Sequence, residues 1–506
     1  MLDQQAKNAQ ARLLSKSGQR SERGTLYDIS ILLDMSIDAS GSVAGVKAMC
    51  SIDKVVWRHA ISGLLLATCP TVALAQDIAI DISGETRLRL EGVDGQFRKG
   101  RKGDDHLLLW RTFLRAKADF GEVAIVGEMQ DSRTYLADDQ TPLSASLANP
   151  VDILQLYADF DLAQALGQQS TTHLRLGRQT IAIGSSRQIE RPSFANVVRS
   201  YSGAYLKSDS ARGDEFHALL VVPVERLPTE RELVERNAPR LDKEEWNRII
   251  WGVHYRRADI LPETFAGLWG EVFSYGLHET DTQSSQTPNR QYATTGGRLY
   301  RARAQGRVDL DIEAAWRVGT RRASSSQLDT EDLAVNAGML FAKMGYTFAG
   351  RWQPNLALQY YYVSGDQRPD DGRYGQFERL FGSRRTDLGN TSIFGPLTPA
   401  NLNAPGMRLE VTPSKRTDAR ITYSAAFLAS DTDSWVIARL RDPTGRSGSF
   451  IGHAIDSRLR WRPKGTPLEL VIGSSVLLYG GFAKAVPDGP EGNGSLFGFT
   501  QVTAQF

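Results

Sequence analysis

Arginine recurs at alternate positions of several short segments, and acids are interleaved with it on the same phase. One phase of the alternation collects Arg87, Arg89, Arg111, Arg115, Lys117, Arg175, Arg248, Arg317, Lys343, Arg408, Arg420, Arg458 and Arg460. The same phase carries Glu85, Glu128, Asp159, Glu271, Asp309, Asp311, Glu313, Glu410 and Asp456. Guanidinium forks pair with carboxylates bidentately, which Lys cannot copy. Rings of Arg or Lys are the standard device for passing anions through a pore. Interleaved acids fit that chemistry, because an unbroken basic wall would trap a polyanion. The competing reading is that the pairs satisfy one another in a plugged interior. Tyr157, Tyr205, Tyr361 and Trp269 share the phase and are placed either to stack on sugar rings or to pack inside. Arg178 falls in the opposite phase; it is expected at or beyond a strand end, where a bulge would turn it inward.

Other chemistries find little support. The seven His, at 59, 106, 173, 217, 254, 278 and 453, show no ligand spacing, so no metal is expected. There is no Gly-x-Ser-x-Gly elbow and no Walker-type loop. The acidic pair Asp311 and Glu313 reads as balance for nearby arginines rather than as a glycosidase pair. No catalytic residue and no cofactor are therefore assigned.

The elements that must carry the arginines are strands. In 308–318, Val308, Leu310, Ile312, Ala314 and Trp316 oppose Asp309, Asp311, Glu313 and Arg317. In 107–119, Trp110, Thr112, Leu114, Ala116 and Ala118 oppose Arg111, Phe113, Arg115, Lys117 and Asp119. In 454–462, Ile455, Leu459 and Trp461 oppose Asp456, Arg458, Arg460 and Arg462. A helix would smear these charges around its circumference, whereas a strand separates the two sets. About eighteen such runs follow one another from 84–91 to 496–506, mostly of the roughly 9–11 residues that a tilted membrane strand needs. Their connections alternate between long and tight, which is the arrangement of an outer-membrane barrel with an even strand count. The apolar phase, with Trp110, Trp251, Trp316, Trp461, Tyr360 and Tyr362, then faces lipid and supplies the interfacial aromatic girdles. The longest gap, 366–405, is rich in Gly, Pro and Arg and is placed either as an in-folded constriction or as a surface loop. The run 434–440 is assigned to a loop, and the chain ends on an alternating strand with Phe506.

The start of the chain reads as a targeting segment. Residues 54–75 combine a basic start (Lys54, Arg58, His59), a short apolar core and the small-x-small site Ala73-Leu74-Ala75, the pattern of a secretory signal. The mature barrel is then 76–506, and 1–53 is an unpatterned extension, with Met49 among later candidate starts. Cys50 and Cys69 both precede 76, leaving the barrel without cysteine. Sixty basic against 58 acidic residues give a net charge of +2, and the mean hydropathy is −0.33. These values argue against a nucleic-acid binder and against a bundle of apolar helices.

Two stretches resemble a known family. LRLGRQTIAIGSSRQ at 174–188 is a strand running into a long loop, and LQYYYVSGDQRPDDGRYGQFERLFGSRRTDLGN at 358–390 is a strand ending in Ser364-Gly365-Asp366 followed by a loop with Phe377, Leu380-Phe381-Gly382 and Gly389-Asn390. Both resemble the alginate export family of outer-membrane porins, and the resemblance extends over the mature chain from Ser83 to Phe506. It implies a monomeric 18-strand barrel that passes polyuronate, with one carboxylate per sugar, through an arginine-rich lumen. The expected function is passive passage of anionic polysaccharide, with an anion- or oligosaccharide-selective uptake porin as the alternative and a barrel enzyme as a distant third. Expected partners are the polysaccharide or oligosaccharide itself, outer-membrane lipid and lipopolysaccharide, the barrel-assembly machinery and periplasmic export components.

Overall fold

The computed structural model describes residues 78–506 except 284, 369 and 370. The expected extension 1–53, the signal segment 54–75 and both cysteines lie outside the described residues. Eighteen long strands follow in order: β1 (Ala79–Asp94), β2 (Asp105–Asp119), β3 (Val123–Tyr135), β4 (Asn149–Asp161), β5 (Ser170–Gln179), β6 (Tyr201–Ser210), β7 (Glu215–Glu225), β8 (Arg248–Arg257), β9 (Leu268–Glu279), β10 (Gln291–Arg301), β11 (Val308–Arg321), β12 (Leu333–Thr347), β13 (Asn355–Val363), β14 (Leu402–Ser414), β15 (Thr417–Phe427), β16 (Phe450–Trp461), β17 (Leu468–Tyr479) and β18 (Gly494–Gln505). Each pairs antiparallel with the next, and β18 pairs back onto β1 from Glu85↔Gln505 to Asp94↔Leu496. The result is a closed 18-strand antiparallel barrel with short turns at one rim and long loops at the other, as the alternating connections predict.

Closure leaves the strands no free edge between β1 and β18, so every side chain faces either lipid or lumen. Outward positions are apolar and open: Leu88, Trp110, Leu114, Trp251, Trp316, Leu459 and Trp461 are all exposed. Inward positions alternate with them, and Arg87, Arg111, Glu313 and Arg317 are buried. The run 434–440 does lie in a loop, between β15 and β16.

The interior departs from a simple polar lining in its long-loop half. There Leu107, Leu109, Phe497 and Phe499 point inward and are buried. They pack against loop residues: Phe394 stacks on Phe497 with ring centroids 5.2 Å apart, and Phe97 stacks on Trp435 at 5.4 Å. The loops fold into the barrel and share an apolar core with its wall. The loop 364–401 accordingly takes the in-folded alternative, with Phe377, Ile393 and Phe394 at 0–2% exposure.

Candidate functional site: an arginine-lined cavity

Two loops build the site, 180–200 after β5 and 364–401 after β13. They are joined backbone to backbone. Phe381 N–H donates to the Gln188 carbonyl at 2.8 Å, and Ser383 N–H donates to the Ser186 carbonyl at 2.9 Å. The approach is so close at Gly382 that a Cβ there would run into the carbonyl of Arg187, which is why this crossing needs glycine.

Arg187 ties the joined loops to the wall. Its Nη2 lies 2.9 Å from Asp311 and its Nη1 2.8 Å from Glu313, both on β11, while its Nε lies 2.8 Å from Asp387 of the other loop. The guanidinium also sits 3.8 Å over the Phe341 ring. Arg298 completes the group, 2.7 Å from Asp311 and 3.3 Å from Glu271. Burial alone would lower the pKa of Arg187, but Asp387, Glu313 and Asp311 outweigh it and hold the residue firmly charged.

Much of the parity ladder turns out to hold these loops. Arg87 donates to the carbonyls of Ser193 (2.7 Å) and Ala195 (2.9 Å), and Arg111 donates to Ala195 (2.6 Å) and pairs with Glu85. Arg89 donates to the Phe194 carbonyl at 2.6 Å and pairs with Glu91. Arg317 donates to the Glu378 carbonyl at 2.7 Å between the rings of Tyr292 and Phe377. Arg408 donates to the Thr386 carbonyl at 2.9 Å, and Asp456 accepts the Asn390 N–H at 2.7 Å. Arg175 pairs with Asp159, and Arg458 and Arg460 share Asp418. Arg115 is half-buried on the same inward phase.

Arg178 corrects the expectation. It does lie at the end of β5, one residue before Gln179, but the strand stays regular there and leaves Arg178 on the phase of Leu176. No bulge turns it inward. It is instead neutralised by Glu244 at 2.8 Å and Asp152 at 3.5 Å, the first carried by the loop 226–247.

Between the loops and the wall lies a cavity of about 600 Å³. Arg199, Arg226, Arg379, Arg384 and Arg385 line it from the loops, and Arg248, Arg290, Arg420 and Arg458 from the wall and its margin. Glu190 is the one acid among the lining residues. The five loop arginines make no ion pair among the described residues. Their contacts are carbonyls (Arg226 with Val197, Arg379 with Gly382, Arg384 with Gly395), Asn390 for Arg385, and ring faces: Arg199 lies 5.1 Å over Phe381 and Arg385 3.9 Å over Phe194.

Crowding of like charge leaves its mark. Burial and then Arg199 push the Arg226 guanidinium down to about 9. Burial and then Arg379 do the same to Arg384, and burial with Arg420 and Arg458 to Arg385, each to about 9. Burial lifts Glu190 to about 6 against the pull of Ser383, Arg379 and Arg385. An anion entering the cavity relieves this repulsion, so the arrangement favours one.

The cavity-lining loop arginines escape strand parity because a loop has no fixed phase. For Arg379, Arg384 and Arg385 the signal is the stretch 358–390 that carries the family resemblance, and the stretch 174–188 likewise holds Arg187, whereas Arg199 and Arg226 lie outside both. Tyr157, Tyr205 and Tyr361 are buried inward, and Trp269 lies beneath Arg256 at 4.2 Å.

A closed 18-strand barrel with a lipid-facing apolar belt and a charged interior defines the class of outer-membrane porins. The sequence matches the profile of the alginate export family over residues 79–492, and the chain belongs to that family. It is a channel of the bacterial outer membrane. No curated protein matches by sequence. Solved structures with a similar fold include three Pseudomonas aeruginosa proteins. OccK9 (OpdG) is 10% identical with a TM-score of 0.54, over 84% of this chain and 98% of that one. OccK2 (OpdF), in complex with glucuronate, is 13% identical with a TM-score of 0.52, over 84% and 98%. The outer membrane protein opdK is 11% identical with a TM-score of 0.51, over 84% and 99%.

Proposed function

We propose that the protein is a passive, non-catalytic channel for anionic sugars, with alginate-type polyuronate the leading cargo, and that the loop arginines select for carboxylate. The observation that carries this reading is the set of five loop arginines without an acidic partner around one cavity. Each can offer a fork to a sugar carboxylate, and several along a path let a polyuronate exchange one contact for the next. The glucuronate bound to OccK2 (OpdF) supports a uronate as the chemical unit. The one acidic pair weighed as a glycosidase pair is engaged: Asp311 and Glu313 both face Arg187. A second reading, passage of short oligouronates or single anions, is favoured by the cavity volume of about 600 Å³, which lies within the usual range of a small-molecule site.

The test is single-channel recording in planar bilayers. The open channel should prefer anions, and an oligomannuronate should interrupt its current more than a neutral maltooligosaccharide of equal length. The double variant Arg379→Glu, Arg385→Glu should lose both properties. A cation-selective wild-type channel, or equal interruption by the neutral sugar, would refute the proposal.

A further inference from the structure

The outer wall carries a hollow separate from the lumen. It lies on the lipid face of β8 to β11, close to the short-turn rim. Strand register assembles it from small residues. Val272 stands opposite both Tyr255 and Gly297, and Gly297 stands opposite Ala314. One row nearer the rim, Gly270 stands opposite Arg257 and Leu299, and Leu299 opposite Ile312. The side chains missing at Gly270 and Gly297, and the short one at Ala314, leave a depression of about 580 Å³ among larger apolar neighbours. Substitution would fill it: a Cβ at Gly297 would sit 3.1 Å from the Glu271 carbonyl, and one at Gly270 would sit 3.3 Å from Ile260.

The rim supplies charge. Arg257 is exposed and has no hydrogen-bond or ion-pair partner among the described residues. Arg301, on the same face, is already engaged with the carbonyls of Ala266 and Val308 and stacked 4.0 Å over Phe265. The short turns of such a barrel face the periplasm, so the hollow opens to the periplasmic leaflet and Arg257 stands at the level of its headgroups. A long arginine there lays its stem along apolar surface and keeps its charged end at the polar boundary.

We propose that this hollow seats an acyl chain of a periplasmic-leaflet phospholipid whose phosphate is held by Arg257. Two features converge on one ligand: an apolar depression in a wall surrounded by hydrocarbon, and a free guanidinium at its rim-side edge, on Arg257 opposite Gly270. Guanidinium matches phosphate oxygens by its fork. Lipopolysaccharide occupies the opposite, long-loop side and would not bring its phosphates to Arg257.

The experiment is native mass spectrometry of the purified barrel in neutral detergent, titrated with phosphatidylglycerol. The wild type should hold one phosphatidylglycerol distinctly more tightly than further copies. Arg257→Gln should weaken that first adduct about fivefold, as expected for one basic residue at a lipid surface. Ala314→Leu, at an exposed position where assembly is easily kept, should abolish its distinction from later adducts. Ile472→Leu, on a remote part of the lipid face, should leave it unchanged. Heat-modifiable migration of each variant confirms that it is folded. The proposal is overturned if folded Arg257→Gln and Ala314→Leu both retain the wild-type adduct, if the wild type shows no distinguished adduct, or if lipopolysaccharide displaces phosphatidylglycerol from it.

Discussion

Arg187 touches carboxylates from two separate parts of the chain, Asp311 and Glu313 on β11 and Asp387 in the loop 364–401. Because it sits in the other in-folded loop, one side chain fixes both loops to the wall. Removing a buried partner leaves the opposing charges uncompensated, at a typical cost of about 3–5 kcal/mol. Those charges are at the loop–wall junction, so the loops should release while the barrel ladder stays intact. Arg187→Ala is therefore expected to stay heat-modifiable, show a larger and noisier conductance, and become cleavable by trypsin at Arg379, Arg384 or Arg385 in outer-membrane preparations. Unchanged conductance and protection would show that backbone pairing between the loops suffices. Arg187→Lys keeps the charge without the three-way fork and should fall between the two. At this scale the sequence was legible in part. Alternation placed Arg87, Arg111 and Arg317 inward, and they are inward, but their hydrogen bonds go to the carbonyls of Ser193, Ala195 and Glu378. Polarity and phase reveal which way a side chain points. They carry no information on whether a loop carbonyl or a passing anion will meet it.

The strands announce themselves because lipid on one side and water or charge on the other force a period of two, and a slip of one residue would exchange the faces. That signal fades where both faces are apolar. Leu107, Leu108 and Leu109 form one unbroken run, yet Leu107 and Leu109 are wholly buried inside against in-folded loop residues while Leu108 lies on the opposite phase. The inner apolar patch is the wall's half of a core whose other half, Phe97, Phe394 and Trp435, is carried by loops. Loop 364–401 is thus a packed element, and it is also separable. Val363 and Leu402 are direct register partners, so a turn of about four residues can join β13 to β14 in its place. A protein with that replacement is expected to assemble, to conduct severalfold more current than the wild type, and to lose most of its preference for oligomannuronate. An assembled barrel with wild-type conductance would mean that the narrowest part of the path lies elsewhere.

The whole molecule depends on closing the ring more than on anything inside it. β1 is held on one side by β2 and on the other by β18, and beyond the last ladder pair the ends are tied again: Gly84 N–H donates to the Phe506 carbonyl at 2.7 Å, and Phe506 N–H donates to the Gly84 carbonyl at 3.0 Å. In hydrocarbon no water is available to replace these bonds, and each orphaned backbone group costs several kcal/mol. Removing 494–506 would expose the facing edges of β1 and β17 at once, and these two strands, one strand's width apart and running parallel, cannot pair without changing the ring's stagger and diameter. The expected outcome is loss of the heat-modifiable form and of outer-membrane recovery, although every lumen arginine on β1 to β17 and both in-folded loops are still present. The replacement of 364–401, which removes far more chain and several of the cavity arginines, should leave both measures near wild type, since it leaves all eighteen strands and their ladder in place. Gel migration with and without boiling, run on the two deletions side by side, decides the matter. If the truncated chain still migrated as a folded barrel, or the loop replacement failed to, the wall would owe its stability to the loop core rather than to its own closure.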